Sequence, residues 1–204
     1  MALNLYGVTF NEAHGSHAEA LRDTQLVVVR DLAAIVGESD YTVLEPTAER
    51  VARYTEVVAA FAKRGPVLPA PVGVVFKQKD SVHRWLELHY VALSDALSFV
   101  DNRVVGRVHV WRPGAAEERE AGSDLAAAAA ESLRVLRRTA VTTVPLRMEK
   151  VTGIVLSAAF LVEQELWKEF ESEVAEQGRR APHLRFELTG PWPPYDFVQM
   201  QLGA

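Results

Sequence analysis

Between Arg103 and Leu188 the hydrophobic pattern switches back and forth between a period of two and a period near 3.6, and that rhythm limits the folds open to the chain. Arg103 to Trp111 alternates and reads as a strand. Ser123 to Arg138 is rich in alanine, a strong helix former, and sets Leu125, Ala129, Leu133 and Leu136 on one side of a helix. Val141 to Arg147 and Val151 to Val162 read as two more strands. Glu163 to Gln177 carries Leu166, Trp167, Phe170 and Val174 at helical spacing, and Leu184 to Leu188 closes as a strand.

The order β-α-β-β-α-β is the ferredoxin-like arrangement, an antiparallel sheet with both helices on one face. Right-handed crossovers around each helix bring the first and third of these strands to the middle of the sheet. The first half has a different rhythm. Leu3 to Phe10 reads as a strand, and Gln25 to Arg30 and Asp31 to Val36 as two further strands or one bent strand, because Val27-Val28-Val29 is β-branched throughout. A helix is expected from Thr47, its N-cap, to Lys63, with Val51, Tyr54, Val58 and Phe61 on its apolar face. Gly65-Pro66 stops it. Gly65 to Phe76 reads GPVLPAPVGVVF, where Pro66, Pro69 and Pro71 hold the backbone extended and withhold donors, which suits an edge or a connector; Val72 to Phe76 can pair as a strand. A second helix from Asp80 carries Val82, Trp85, Leu86, His89, Leu93 and Leu97 as one stripe. The whole predicts an α+β protein of two domains: residues 1–100, and residues 101–204 as a ferredoxin-like domain with a tail rich in proline and aromatics.

Composition narrows the function. The 204 residues carry 27 acids and 22 bases, a net charge of −5, and no concentrated basic footprint, so nucleic acid is not an expected partner. With no cysteine there is no disulfide, thiolate or cysteine metal site. No apolar run approaches the ~18 residues of a spanning helix, and Met1 to Tyr6 lacks the basic and apolar regions of a signal peptide. A cytoplasmic protein without a membrane partner is expected.

The residues that could carry chemistry read as structure. His14 and His17 beside Glu12 have donors for part of a metal site, yet their setting reads more simply as a polar loop. His83 and Glu87, four apart, suit a solvated helical pair, and His89 lies on an apolar stripe as a hydrogen-bonded core histidine would. His109 sits near Trp111 on a strand, its face undetermined. Nucleophile elbow and phosphate-loop patterns are absent from the sequence. The carboxylates Glu163, Glu165, Glu169, Glu171, Glu173 and Glu176 cover the solvated side of an amphipathic helix. No catalytic residue, metal or cofactor is expected.

What remains is LTGPWPPYDFV, Leu188 to Val198. Trp192, Tyr195 and Phe197 are costly to expose, while Pro191, Pro193 and Pro194 remove backbone freedom in advance, so the segment packs or binds at little entropic cost. It reads as a structural cap folded over the sheet, with a cis proline allowed for, or as a docking surface, and the two can coexist.

Together with GIVLSAAFLV (Gly153 to Val162), GPVLPAPVGVVF, LYGV (Leu5 to Val8) and RDLAAIVGES (Arg30 to Ser39), this terminal motif makes the chain resemble the gas vesicle protein L and F family along nearly its whole length. Pro71-Val72 depart from the basic and aliphatic or aromatic pair frequent there in the family. The resemblance implies an accessory protein of gas vesicle formation with two α+β domains and no catalytic residues. It implies contacts with the small hydrophobic shell protein and other vesicle proteins, in the cytoplasm and at the vesicle. Pro66 and Pro69 in the connector and Trp192, Pro193, Pro194 and Tyr195 in the corner are the candidate partner-binding residues. The competing expectation is a ferredoxin-like small-molecule or haem-binding enzyme, in which His89 or His109 would face a large apolar cavity. A third is a regulatory module with a ligand between its domains.

Overall fold

The structure, a computed structural model, describes residues 1–11, 23–41, 46–112, 122–147 and 153–198. It is a mixed α+β fold with two antiparallel sheets, and its contacts divide it into two compact units. One unit holds Met1–Asn102 together with the segment from Pro193; the other is Arg103–Trp192. The tail after Trp192 therefore packs with the first unit, whereas the sequence reading attached it to the second half. A Pro-rich segment has no period that could reveal which core it joins.

In the first unit β1 (Ala2–Phe10) is flanked by β3 (Leu32–Ser39), which pairs in turn with β2 (Thr24–Val29). On its other side β1 meets two short strands, β4 (Val67–Pro69) and β5 (Val75–Phe76). The proline connector thus becomes the broken edge of the sheet, and only Val75 and Phe76 of the expected strand pair. Between the two pieces, Leu5 N–H donates to Val74 O at 2.8 Å and Ala70 N–H to Tyr6 O at 3.0 Å, so β1 stays bonded across the break. Gly7 permits the close approach, since a Cβ there would stand 2.7 Å from Leu68 O.

Leu32 to Gly37 of β3 are buried without alternation, because helices cover both faces. On one face Leu5, Val8, Ala34 and Val36 form a core with Val82 and Leu86 of α2 (Lys79–Leu88) and Leu93 and Leu97 of α3 (Tyr90–Val100). On the other, Ile35 packs with Tyr54, Val57, Val58 and Phe61 of α1 (Ala48–Ala62). Thr47 caps α1 as expected, accepting from Arg50 N–H at 3.3 Å. Val51, expected on the buried face, is 39% exposed in the first turn, and Val57 takes its place in the core. The single helix expected from Asp80 is two, broken at His89, whose Nδ1 lies 2.8 Å from Trp85 O.

In the second unit β6 (Arg103–Trp111) and β8 (Ile154–Glu163) are central, with β7 (Thr142–Pro145) and β9 (Arg185–Trp192) at the edges, in the order β7-β8-β6-β9. Helices α4 (Gly122–Leu136) and α5 (Trp167–Arg180) share one face. Leu133 and Leu136 from α4 and Phe170 and Val174 from α5 pack with Val108, Val110, Phe160 and Val162. Phe160 and Phe170 stand 5.2 Å apart with tilted rings. Leu166, expected in this stripe, lies in a 3-10 turn ahead of α5 and is exposed; buried Gln177 extends the stripe instead.

Candidate partner-docking surfaces

The terminal motif is divided between the units. Strand β9 runs four residues beyond its expected end, through the cis Gly190–Pro191 peptide, to pair Trp192 with Val105. Trp192 is 40% exposed, and its Nε1–H donates to Thr189 Oγ1 at 3.2 Å, so the indole stands fixed on the surface of the second unit. From Pro193 the chain turns: Tyr195 N–H donates to Pro193 O at 2.7 Å and Phe197 N–H to Pro194 O at 3.1 Å. Pro193 and Tyr195 are half-buried, and Pro194 is buried.

Tyr195 lands on α1. Its ring centre lies 6.4 Å from that of Tyr54, which lies 6.4 Å from that of Tyr6, giving a row of three tilted tyrosines. Tyr54 O–H donates to Ala70 O at 2.6 Å, tying α1 to the proline edge. Burial, with the nearby Tyr195 adding to it, pushes the Tyr54 hydroxyl well above the usual tyrosine range, so the ring is neutral at ordinary pH.

Beside Tyr54 and Tyr195 opens a recess of about 500 Å³, walled by these two and by Pro69, Ala70, Pro71, Val72 and Val198. None of these seven side chains is charged, and Val72 is 37% exposed at the rim. A second, polar recess of about 280 Å³ shares Tyr54 and Val72 with it and is lined by Asn4, Tyr6, Glu38, Asp40, Arg50 and Arg53 among others. Of the six residues singled out from sequence, the structure brings Pro69 and Tyr195 together in the apolar recess. Pro66 serves locally, its carbonyl accepting from Thr9 Oγ1 at 2.7 Å. Pro71, Val72 and Val198 lie in the two segments singled out without being among the six, and Tyr54 was missed altogether. The available signal was Tyr54 itself, a hydroxyl on an otherwise apolar stripe that requires an acceptor when buried.

The histidines lie elsewhere. His83 Nδ1 and Glu87 Oε2 are 3.7 Å apart with both side chains about half exposed, as the spacing suggested. His89 stacks on Trp85 and His109 Nδ1 meets Ser157 Oγ at 2.7 Å; neither lines the two recesses. His14, His17 and Glu12 fall outside the described residues. Among the described residues no cluster of His, Asp or Glu could hold a metal ion, and no helix is long and apolar enough to cross a membrane.

The sequence profile of the gas vesicle synthesis protein GvpL/GvpF family matches residues 2–124 and 111–199. The chain belongs to this family. Gas vesicle protein F1 of Halobacterium salinarum is 25% identical over 208 residues, covering 99% of this chain and 95% of its own. Gas vesicle protein F2 of the same organism is 26% identical over 185 residues, covering 87% and 81%. Gas vesicle protein L of a Streptomyces species is 28% identical, covering 94% and 88%. The crystal structure of the gas vesicle protein GvpF from an Anabaena species superposes with a TM-score of 0.80 at 16% identity, over 98% of this chain and 99% of that one. That of GvpF from Microcystis aeruginosa gives 0.74 at 14% identity with the same coverage. The fold is shared, and family membership gives the chain a role in gas vesicle formation.

Proposed function

We propose that the chain is a non-enzymatic assembly factor, acting in the cytoplasm and at the gas vesicle through contacts with the hydrophobic shell protein and other vesicle proteins. The observation that carries this reading is the uncharged recess walled by Tyr54, Pro69, Pro71, Val72 and Tyr195. Its prolines and packed tyrosines are rigid before any partner arrives, so an apolar segment can enter without an ordering cost on this side. A shell subunit waiting to join a growing wall needs its apolar surface covered, and such a recess can cover part of it. Trp192, exposed and held in place, is a second contact point on the other unit, with Pro66, Pro193 and Pro194 stiffening the segments that present these surfaces.

We read the two units as domains meeting near residue 100. The order β7-β8-β6-β9 with α4 and α5 on one face supports reading the second as ferredoxin-like.

The test is deletion of the gene in a host that makes gas vesicles, scored by flotation and electron microscopy. Complementation with the intact chain should restore vesicles. Val72→Asp, which sets a carboxylate on the rim of the apolar recess, should fold normally by circular dichroism yet fail to restore them. Full rescue by Val72→Asp would remove the recess from the assembly role; normal vesicles in the deletion strain would remove the role itself.

A further inference from the structure

Four sheet edges are visible among the described strands, and three are blunted against pairing with another chain. The β4–β5 edge is split into pieces of three and two residues among Pro66, Pro69 and Pro71. Strand β7 has four residues and ends in Pro145. Strand β9 carries Arg185, Glu187 and Pro191 and has a register shift against β6. Strand β2 has none of these devices. Its six residues, Thr24-Gln25-Leu26-Val27-Val28-Val29, include no charge and no proline, and they pair with β3 in unbroken register. No described strand pairs with its outer side. Val28, which a neighbouring strand would cover, is 40% exposed.

The ends of β2 indicate what fits beside it. Asp23 and Arg30, both exposed, bracket the strand with left-handed backbone (φ 71° and 55°) that ends it sharply on either side. The Arg30 guanidinium is held 4.6 Å from the centre of the Tyr90 ring. An antiparallel copy of the same strand sets Asp23 beside the partner's Arg30 at both ends; a parallel copy sets like charges together. We propose that β2 is a self-association edge, where two copies of this chain pair β2 against β2 in antiparallel fashion and join their five-stranded sheets into one. This does not depend on the shell-protein reading. A six-residue edge buries little area, so the dimer exchanges with monomer as concentration changes.

Sedimentation velocity of the intact chain over a concentration series tests it. The mass should climb from 22.6 kDa toward twice that value. Val28→Lys should raise the dissociation constant by about tenfold or more while leaving the circular dichroism spectrum and Tm in place. Asp23→Arg should weaken the dimer, and adding Arg30→Asp should restore it. A constant monomer mass at every concentration overturns the proposal and leaves the edge to a strand from another polypeptide. So does a dimer indifferent to Val28→Lys. Failure of the double exchange to rescue Asp23→Arg overturns the antiparallel pairing.

Discussion

In the first sheet the edge beside β1 is cut in two around Pro71 and Gly73, whereas β9 in the second stays one strand of eight residues, with a single register shift, and meets its proline only near the end. The first sheet has helices on both faces; in the second, α4 and α5 share one. Proline therefore does different things in the two places. Within the broken edge it removes pairing groups and leaves a rigid apolar wall, which Tyr195 completes. Near the end of β9 it precedes a tryptophan that remains exposed. Rigid segments of similar composition yield a recess in one unit and a protruding ring in the other because their neighbours differ.

Substitutions can break this contrast. Phe170→Ala should cost most, about 3–5 kcal/mol, because the ring is fully buried between Phe160 and Trp167 in the one-sided core. Chemical denaturation measures the loss, and hydrogen exchange should rise first in β6 and β8; an equal rise in β1 and β3 would mean that the two cores respond as one. Gly7→Ala should cost about 2–3 kcal/mol by forcing Leu68 O, a backbone atom, away from β1 and opening the split edge.

Tyr54→Phe should cost about 1–2 kcal/mol, since the Ala70 carbonyl loses its donor. The same residue sets an alkaline limit. Its folded pKa lies above the ordinary value of 10.0, so the native state keeps the proton where the unfolded chain releases it. Stability from this group is complete below pH 10 and falls as pH rises beyond it, and Tyr54→Phe should flatten that decline in a pH series of melts. Thr47→Ala, at the cap of α1, should have the smallest effect, about 1 kcal/mol by thermal melting.

The second half was more legible than the first because its elements are amphipathic over their own length. Ala129, Leu133 and Leu136 on α4, and Phe170 and Val174 on α5, are buried as their spacing predicts. The break at His89 was not legible: Leu86, Leu93 and Leu97 keep a continuous apolar stripe across it, and no Gly or Pro marks it. Val51 misled because a residue in the first turn of a helix can overhang the core that later turns cover. Of the walls of the apolar recess, the sequence singled out Pro69 and Tyr195, through the stiffness of proline and the cost of exposing an aromatic ring. Rigidity can be read from residue type, but a buried Pro194 and an exposed Trp192 two residues earlier have the same standing in a sequence.

The sequence by itself determined the order of the strands and helices from Arg103 to Leu188, the cap at Thr47, the family, and the stiffness of the two Pro-rich segments. Each of these depends on local period or residue type. The tertiary structure decided that the tail crosses to the first unit, that Tyr54, Pro69 and Tyr195 meet, and that helices cover both faces of one sheet. Those outcomes depend on contacts between segments far apart in the chain, where burial and van der Waals packing act between surfaces that no local pattern pairs.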